Sequence, residues 1–208
     1  MAAMSPSAAE LPDRVGGLLC LDFVNTVDPR FGPDRRDFLT SYDAVLAWAA
    51  DVHLDLPRPA SWLRRTAKSN QSQARRALDS ILAAREAMYG VLNASIEGRR
   101  VRPADLARVN DVLKEATDHY VLLGAANGGV RDGWTLADDL EQVLWPVVID
   151  AWDLLTVSKL DRVKKCPGDG TCGWLFLDTS RSGTRRWCDM RTCGNREKAR
   201  SYYRRVKG

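Results

Sequence analysis

The 208-residue chain has no apolar run near the ~20 residues that cross a bilayer, which excludes a membrane-spanning helix. Met1 to Pro12 carries neither a basic start nor an apolar stretch, so it does not read as a secretory signal. This segment, residues 1–12, is expected to be disordered and the protein to be soluble and cytoplasmic. Histidine is nearly missing: His53 and His119 stand alone, and each reads as an ordinary surface or core residue. The glycines around Cys172 precede no Lys-Ser/Thr, so a phosphate-cradling loop of the nucleotide-binding kind is excluded. No acid, base and nucleophile converge in any motif, and the chain is expected not to be an enzyme. Internal repeats, low-complexity tracts and Gly- or Ser-rich linkers are absent too.

What the chain does have is concentrated cysteine. Of its five cysteines four lie near the C-terminus. Cys166 and Cys172 have five residues between them, Cys188 and Cys193 have four, and fifteen separate the two pairs. Two short cysteine loops joined by a hairpin-length insert suit a tetrahedral thiolate metal site, with zinc the default. Iron on the same four sulfurs and a redox disulfide stay open on ligand type alone. A closed thiolate shell would make the metal structural, not catalytic. Cys20, far from the rest, reads as a small buried hydrophobe.

Charge divides the chain at the same place. From Lys159 to Gly208 there are fourteen Lys/Arg against five Asp/Glu, a net of +9, and the remainder has seventeen against twenty-two, a net of −5. A mildly acidic body with a basic tail suggests a polyanion for the tail. After Cys193 the text reads as a helix with Asn195 as N-cap. On a helical wheel Arg196, Arg200, Tyr203, Arg204 and Lys207 share one side, suited to phosphates and base edges. Ala199, Tyr202 and Val206 share another, expected to pack on a hairpin made of Trp174–Leu177 and Arg185–Trp187. Arg181, Arg185 and Arg186 at that hairpin extend the cationic surface.

The first three-quarters read as helical. Gly16 to Thr26 (GGLLCLDFVNT) holds a buried strand or the start of a core helix. Asp22 and Asn25 within it are candidate pocket residues, although capping and turn bonding is the commoner use of such side chains. A loop over 28–37 precedes a helix to about His53, with Thr40 and Asp43 as a capping-box-like start. A helical stretch from Ser61 to about Glu97 should break near 69–72, with Leu78, Ile81, Leu82, Arg85, Met88, Tyr89 and Leu92 along one stripe. Arg64, Arg65, Arg75 and Arg76 read as a solvated face. Pro103 opens another helix, marked by Leu106, Val109, Asn110, Leu113 and Ala116. His119–Leu123 and Val130–Leu136 flank Asn127-Gly128-Gly129, which predicts one β-hairpin. The last body helix, from Asp138 to about Lys159, should kink or split at Pro146 and bury Trp145 and Trp152. It runs to the first cysteine without a flexible linker, so the two modules should be held close.

Cys-Gly-Asn-Arg at 193–196, preceded by WLFLDTSR and RRWC, resembles the CGNR zinc finger family. GGLLCLDFVNT and the helical text after it resemble the ABATE domain that commonly precedes that finger. The resemblance implies zinc on Cys166, Cys172, Cys188 and Cys193, with signature residues at Gly194, Asn195 and Arg196. Ser180-Arg181-Ser182 stands where the family usually has Ser-Arg-Asn. It further implies a bacterial stress-induced transcriptional regulator. The expected architecture is mainly α: a helical domain over 13–160 with one small hairpin, then over 161–208 a treble-clef-like finger of zinc-bound hairpin plus helix. The expected function is a DNA-binding transcription regulator whose helical domain receives a signal or mediates assembly. The alternatives are a protein-interaction adaptor and a thiol-based redox sensor. DNA is the expected partner. A small-molecule or protein effector of the helical domain and a homodimer are open, and no membrane is involved.

Overall fold

A computed structural model describes residues 11–126, 128–157 and 160–207. Of the segment 1–12 expected to be disordered, residues 1–10 lie outside the described residues, as does the Asn127 part of the turn signal, whereas Leu11 packs against the core and Pro12 is buried. The chain is mainly helical, with small antiparallel hairpins and a four-cysteine cluster near its end. None of the described helices is long and apolar enough to cross a membrane.

The GGLLCLDFVNT stretch opens the core as a short helix, α1 (Leu19–Val24), with Cys20, Leu21, Phe23 and Val24 buried. A two-residue hairpin, β1 (Val27–Asp28) with β2 (Arg36–Asp37), follows within the expected loop. Helix α2 (Tyr42–Asp51) starts one residue later than the capping-box pattern implies: Ser41, not Thr40, is the cap, and its hydroxyl accepts from Ala44 N–H. Helices α3 (Ala60–Ser69) and α4 (Gln71–Ile96) break at Asn70, whose side chain caps α4 by accepting from Gln73 N–H.

Helix α4 is the spine. Leu78, Ile81, Met88, Tyr89 and Leu92 are buried along it as the period requires. Arg85 is buried in the same stripe and is paired: its two terminal nitrogens grip the Asp37 carboxylate at 2.8 and 2.6 Å. That fork ties the β1–β2 hairpin to α4. Helix α5 (Pro103–His119) buries Val109, Val112 and Ala116, while Leu106 and Asn110, expected inward, face out. The predicted hairpin is present as β3 (Tyr120–Gly124) and β4 (Val130–Trp134), in register Tyr120 to Trp134.

Pro146 does not kink a long helix. A 3-10 turn over Leu140–Val143 leads into α6 (Leu144–Thr156), and Pro146 sits in the first turn of α6, where its missing N–H costs no hydrogen bond. Trp145 is buried, with its ring stacked 4.4 Å from His119. Trp152 is half-exposed and not core: seven residues on, it lies on a side of α6 that the described residues leave open to solvent.

The body continues into the finger without a seam. Strand β5 (Val163–Lys165) pairs antiparallel with β6 (Leu175–Leu177), in register Val163 to Leu177 and Lys165 to Leu175. Val163 and Leu175 are buried in the same apolar cluster as α1, α4 and α6. Fully burying a side chain of this kind contributes roughly 1.5–3 kcal/mol. The hairpin therefore belongs energetically to the body. The expected strand over Arg185–Trp187 is absent, because β6 takes its partner from the residues before Cys166 instead. The last helix, α7 (Asn195–Lys207), buries no residue.

Candidate metal centre

The β5–β6 hairpin turns through the first cysteine pair. Cys166 N–H donates to Trp174 C=O at 2.8 Å and Gly173 N–H returns to Cys166 C=O at 3.2 Å, so the ladder extends up to the first sulfur. The loop then closes on itself: Thr171 and Cys172 N–H both donate to Gly168 C=O. Gly168 has to be glycine here. A Cβ on it would stand 2.2 Å from Cys172 Cβ and 3.2 Å from Cys193 Sγ, inside the sulfur cluster. Gly173 has φ +67°, a left-handed backbone that favours glycine.

The second pair is built differently. Asp189 caps a π-helical turn over Met190–Gly194, its carboxylate accepting from Arg191 N–H at 2.7 Å. This turn runs without interruption into α7. Asn195 is thus helical, not the N-cap, and its side-chain amide donates to Arg191 C=O.

All four sulfurs are buried and lie within 4.8 Å of one another. Cys188 Sγ is 3.7 Å from both Cys172 Sγ and Cys193 Sγ. A tetrahedron of sulfurs around zinc at about 2.3 Å has edges of about 3.8 Å, so the donor set fits the ion in number, softness and spacing. Thiols packed this closely cannot ionise independently. Hydrogen bonds from the neighbouring thiols pull Cys166 down, and the bonds to Cys166 push Cys172 and Cys188 up. A bound dication removes that conflict by holding all four as thiolates.

Residues 17–158 match the family model of ABATE, described as "Putative stress-induced transcription regulator". The chain belongs to the ABATE family. The CGNR zinc finger model matches residues 162–206, in the same order along the chain. No curated protein matches this sequence. The ABATE body and the CGNR finger account for the architecture just described, and the zinc site is the finger's.

The remaining candidate residues divide sharply. Arg185 is a structural residue: its guanidinium donates to the carbonyls of Trp187 and Cys188 and lies 4.5 Å over the Phe176 ring. Arg181 and Arg186 are exposed beside it. Sequence alone cannot separate Arg185 from Arg186, because only the fold supplies the carbonyls. Arg196, Arg200, Tyr203, Arg204 and Lys207 are all exposed on α7. Arg204 reaches back to Glu197 at 2.8 Å. Ala199, Tyr202 and Val206, expected to pack on the hairpin, are exposed as well.

Asp22 and Asn25 are both engaged in bonds to backbone atoms. Asp22 closes the Gly16 turn by accepting from Gly16 N–H at 2.8 Å. Asn25 is buried, and its amide mimics a strand edge: Nδ2 donates to Leu175 C=O at 2.8 Å and Oδ1 accepts from Leu175 N–H at 3.0 Å. The signature stretch of the body thus clamps β6 of the finger.

Nothing in the sequence singles out Asp178. It is buried after β6 and accepts from Lys164 Nζ, Ser180 N–H, Ser180 Oγ and Arg185 N–H. The Lys164 ammonium holds its carboxyl well below the usual range. This carboxylate shapes the Ser180–Arg185 bend that carries the chain from the first cysteine pair to the second.

Proposed function

We propose that this ABATE protein is a DNA-binding transcription regulator whose CGNR finger presents α7 to the duplex. The supporting observation is that α7 buries none of its residues. Thirteen residues make a marginal helix in water, and this one has no buried face to stabilise it. Its tether to Cys193 and the capped turn before it set its start and its direction. It carries six Lys/Arg and one Glu, with Tyr203 exposed among the cations. Arg181 and Arg186 add two charges near the second cysteine pair. Such a helix offers phosphate contacts along its length and a ring for base or sugar contact. The zinc is scaffold in this reading, since four thiolates leave no position for water. The ABATE body receives a signal or mediates assembly, in a bacterial cytoplasm whose reducing conditions keep thiolates available for metal.

A mobility-shift assay on genomic fragments with the zinc-loaded chain tests this. The Arg196/Arg200/Arg204→Ala variant should bind at least ~10-fold more weakly at moderate salt. Its log–log salt slope should be shallower by about three, at about 0.9 for each phosphate that is no longer neutralised. Equal binding by the two proteins overturns the proposal. A second reading, an adaptor for an acidic protein face, draws on the exposed Tyr202 and Val206. It would show as partner recovery that survives nuclease treatment.

A further inference from the structure

A cleft of about 640 Å³ opens in the ABATE body between α4, α5 and the β1–β2 loop. Its volume is that of a small-molecule site. Six arginines line it against two carboxylates, Glu86 and Asp105. Exposed arginines alone would be an ordinary solvated face. Arg30 is not exposed: its side chain is 2% accessible, and its Nε and Nη2 have no hydrogen-bond partner among the described residues. Only Nη1 is satisfied, by Glu86 at 2.9 Å. The guanidinium lies 3.8 Å over the Tyr89 ring, which fixes its plane. Leaving donors of a buried cation unused is costly, and the guanidinium fork matches an oxyanion. One turn along α4 from Tyr89, Asn93 lines the same cleft with its Oδ1 also buried and unpartnered among the described residues. That atom accepts, so it calls for a donor on whatever binds. Phe31, Ala87 and Ala94 supply an apolar floor.

The same loop grips the first cysteine pair. Arg30 N–H donates to Cys172 C=O and Phe31 N–H to Thr171 C=O, each at 2.9 Å. Tyr89 OH donates to Gly173 C=O at 2.9 Å. The residues that line the cleft therefore hold the backbone on either side of a zinc ligand.

The geometry points to this cleft as a binding site for a small organic oxyanion with an apolar body and a hydrogen-bond donor, whose occupancy is transmitted to the zinc site through Arg30, Phe31 and Tyr89. This rests on reading the ABATE body as the signal-receiving part. The groups that meet the ligand would be the Arg30 guanidinium for the oxyanion and Asn93 Oδ1 for the donor, each of which lies just beneath the cleft surface and is uncovered by a small side-chain shift on binding.

The test is calorimetric titration of the full-length, zinc-loaded chain with 4-hydroxybenzoate, with benzoate and 4-hydroxybenzyl alcohol as probes lacking the donor or the charge. 4-Hydroxybenzoate should bind saturably at one site with Kd below about 1 mM. Benzoate should be weaker by about 3- to 10-fold and the neutral alcohol should not bind. Arg30 is buried and its replacement risks the fold, so the decisive variants are elsewhere. Arg100→Glu at the exposed rim should weaken both acids severalfold. Asn93→Leu should erase the preference for 4-hydroxybenzoate over benzoate while benzoate still binds. Zinc transfer to the chelator 4-(2-pyridylazo)resorcinol should slow at least ~3-fold when the site is filled, and Tyr89→Phe should reduce that slowing. Absence of saturable binding, equal binding of the neutral alcohol, or indifference to both variants overturns the site. Binding with unchanged zinc release overturns the transmission. No DNA is present in either measurement, so failure here leaves the reading of α7 standing, and failure of α7 to bind DNA leaves this one standing.

Discussion

The two cysteine pairs share one metal site and belong to different parts of the molecule. Cys166 and Cys172 sit at the tip of the β5–β6 hairpin, whose Val163 and Leu175 lie in the core of the ABATE body. Asn25, Tyr89, Arg30 and Phe31 all hold that hairpin or its loop through backbone atoms. Cys188 precedes, and Cys193 lies on, a capped turn that leads into α7, where no residue is buried. One half of the finger is anchored in the body's core, and the other is joined to it through the four-cysteine cluster and the Arg185 bonds. The first fixes where the site is, and the second, held outside the cluster mainly by the Arg185 bonds to the Trp187 and Cys188 carbonyls, carries the exposed α7. The zinc is then the joint between the body and α7.

Removing the metal should break this comparison most severely. Structural zinc contributes on the order of 10–16 kcal/mol in small finger peptides, and the second half here has little else to replace it. With a chelator, hydrogen exchange should become fast over 186–207, while α4 and α5 keep their protection. The β5–β6 hairpin should keep part of its protection because its core packing does not involve the metal. Uniform loss of protection across the whole chain would show that the anchored half depends on zinc as much as the free half does.

The next effect in size tests the anchor itself. Asn25→Leu removes both hydrogen bonds to Leu175 and leaves a buried N–H and C=O to compete for other partners. At about 1–3 kcal/mol for each unsatisfied group, the loss should be roughly 2–6 kcal/mol, read from urea unfolding as a lower midpoint at unchanged slope. Zinc should also leave faster, since Leu175 is three residues from Cys172. Asn195→Ala is the matched control on the free side, where the amide is exposed and only a 3.2 Å bond to Arg191 C=O disappears; it should change stability by less than ~0.5 kcal/mol.

The same contrast explains which features can be read from sequence. The cysteine spacing, the α4 stripe, the break at Asn70 and the β3–β4 hairpin follow from local chemistry, and each is legible. The partner of β6 is not, because Val163–Lys165 is three residues long and two of them are lysine, which gives no alternation to recognise. Asn25 lies 150 residues from the strand it clamps, so nothing near it in the chain signals the bond. A helical wheel correctly groups Ala199, Tyr202 and Val206, but grouping says only that residues share a face. Whether anything lies against that face is decided by the rest of the fold, as Trp152 on α6 also shows. Arg185 reads as part of the partner surface for the same reason: its charge is visible in the sequence and its carbonyl acceptors are not.

The smallest expected effect separates stability from function on α7. Glu197 is the helix's one carboxylate and it holds Arg204 at 2.8 Å, with the arginine largely exposed. Exposed pairs of this kind are worth about 0–1 kcal/mol, so Glu197→Gln should leave the unfolding midpoint almost unchanged. Its consequence belongs to binding. The substitution removes the only negative charge from a helix of six cations and frees Arg204 from an intrahelical partner. If α7 is the element that meets phosphate, DNA affinity should rise severalfold at low salt, and the salt slope should steepen by about 0.9 as Arg204 neutralises one further phosphate. A more exposed body-side carboxylate, Asp43 paired to Arg64, gives the contrasting case: Asp43→Asn should move neither quantity. If Glu197→Gln lowered stability and left the affinity for DNA alone, α7 would be a structural helix like those of the body, and the division of the finger into an anchored half and an offered half would fail.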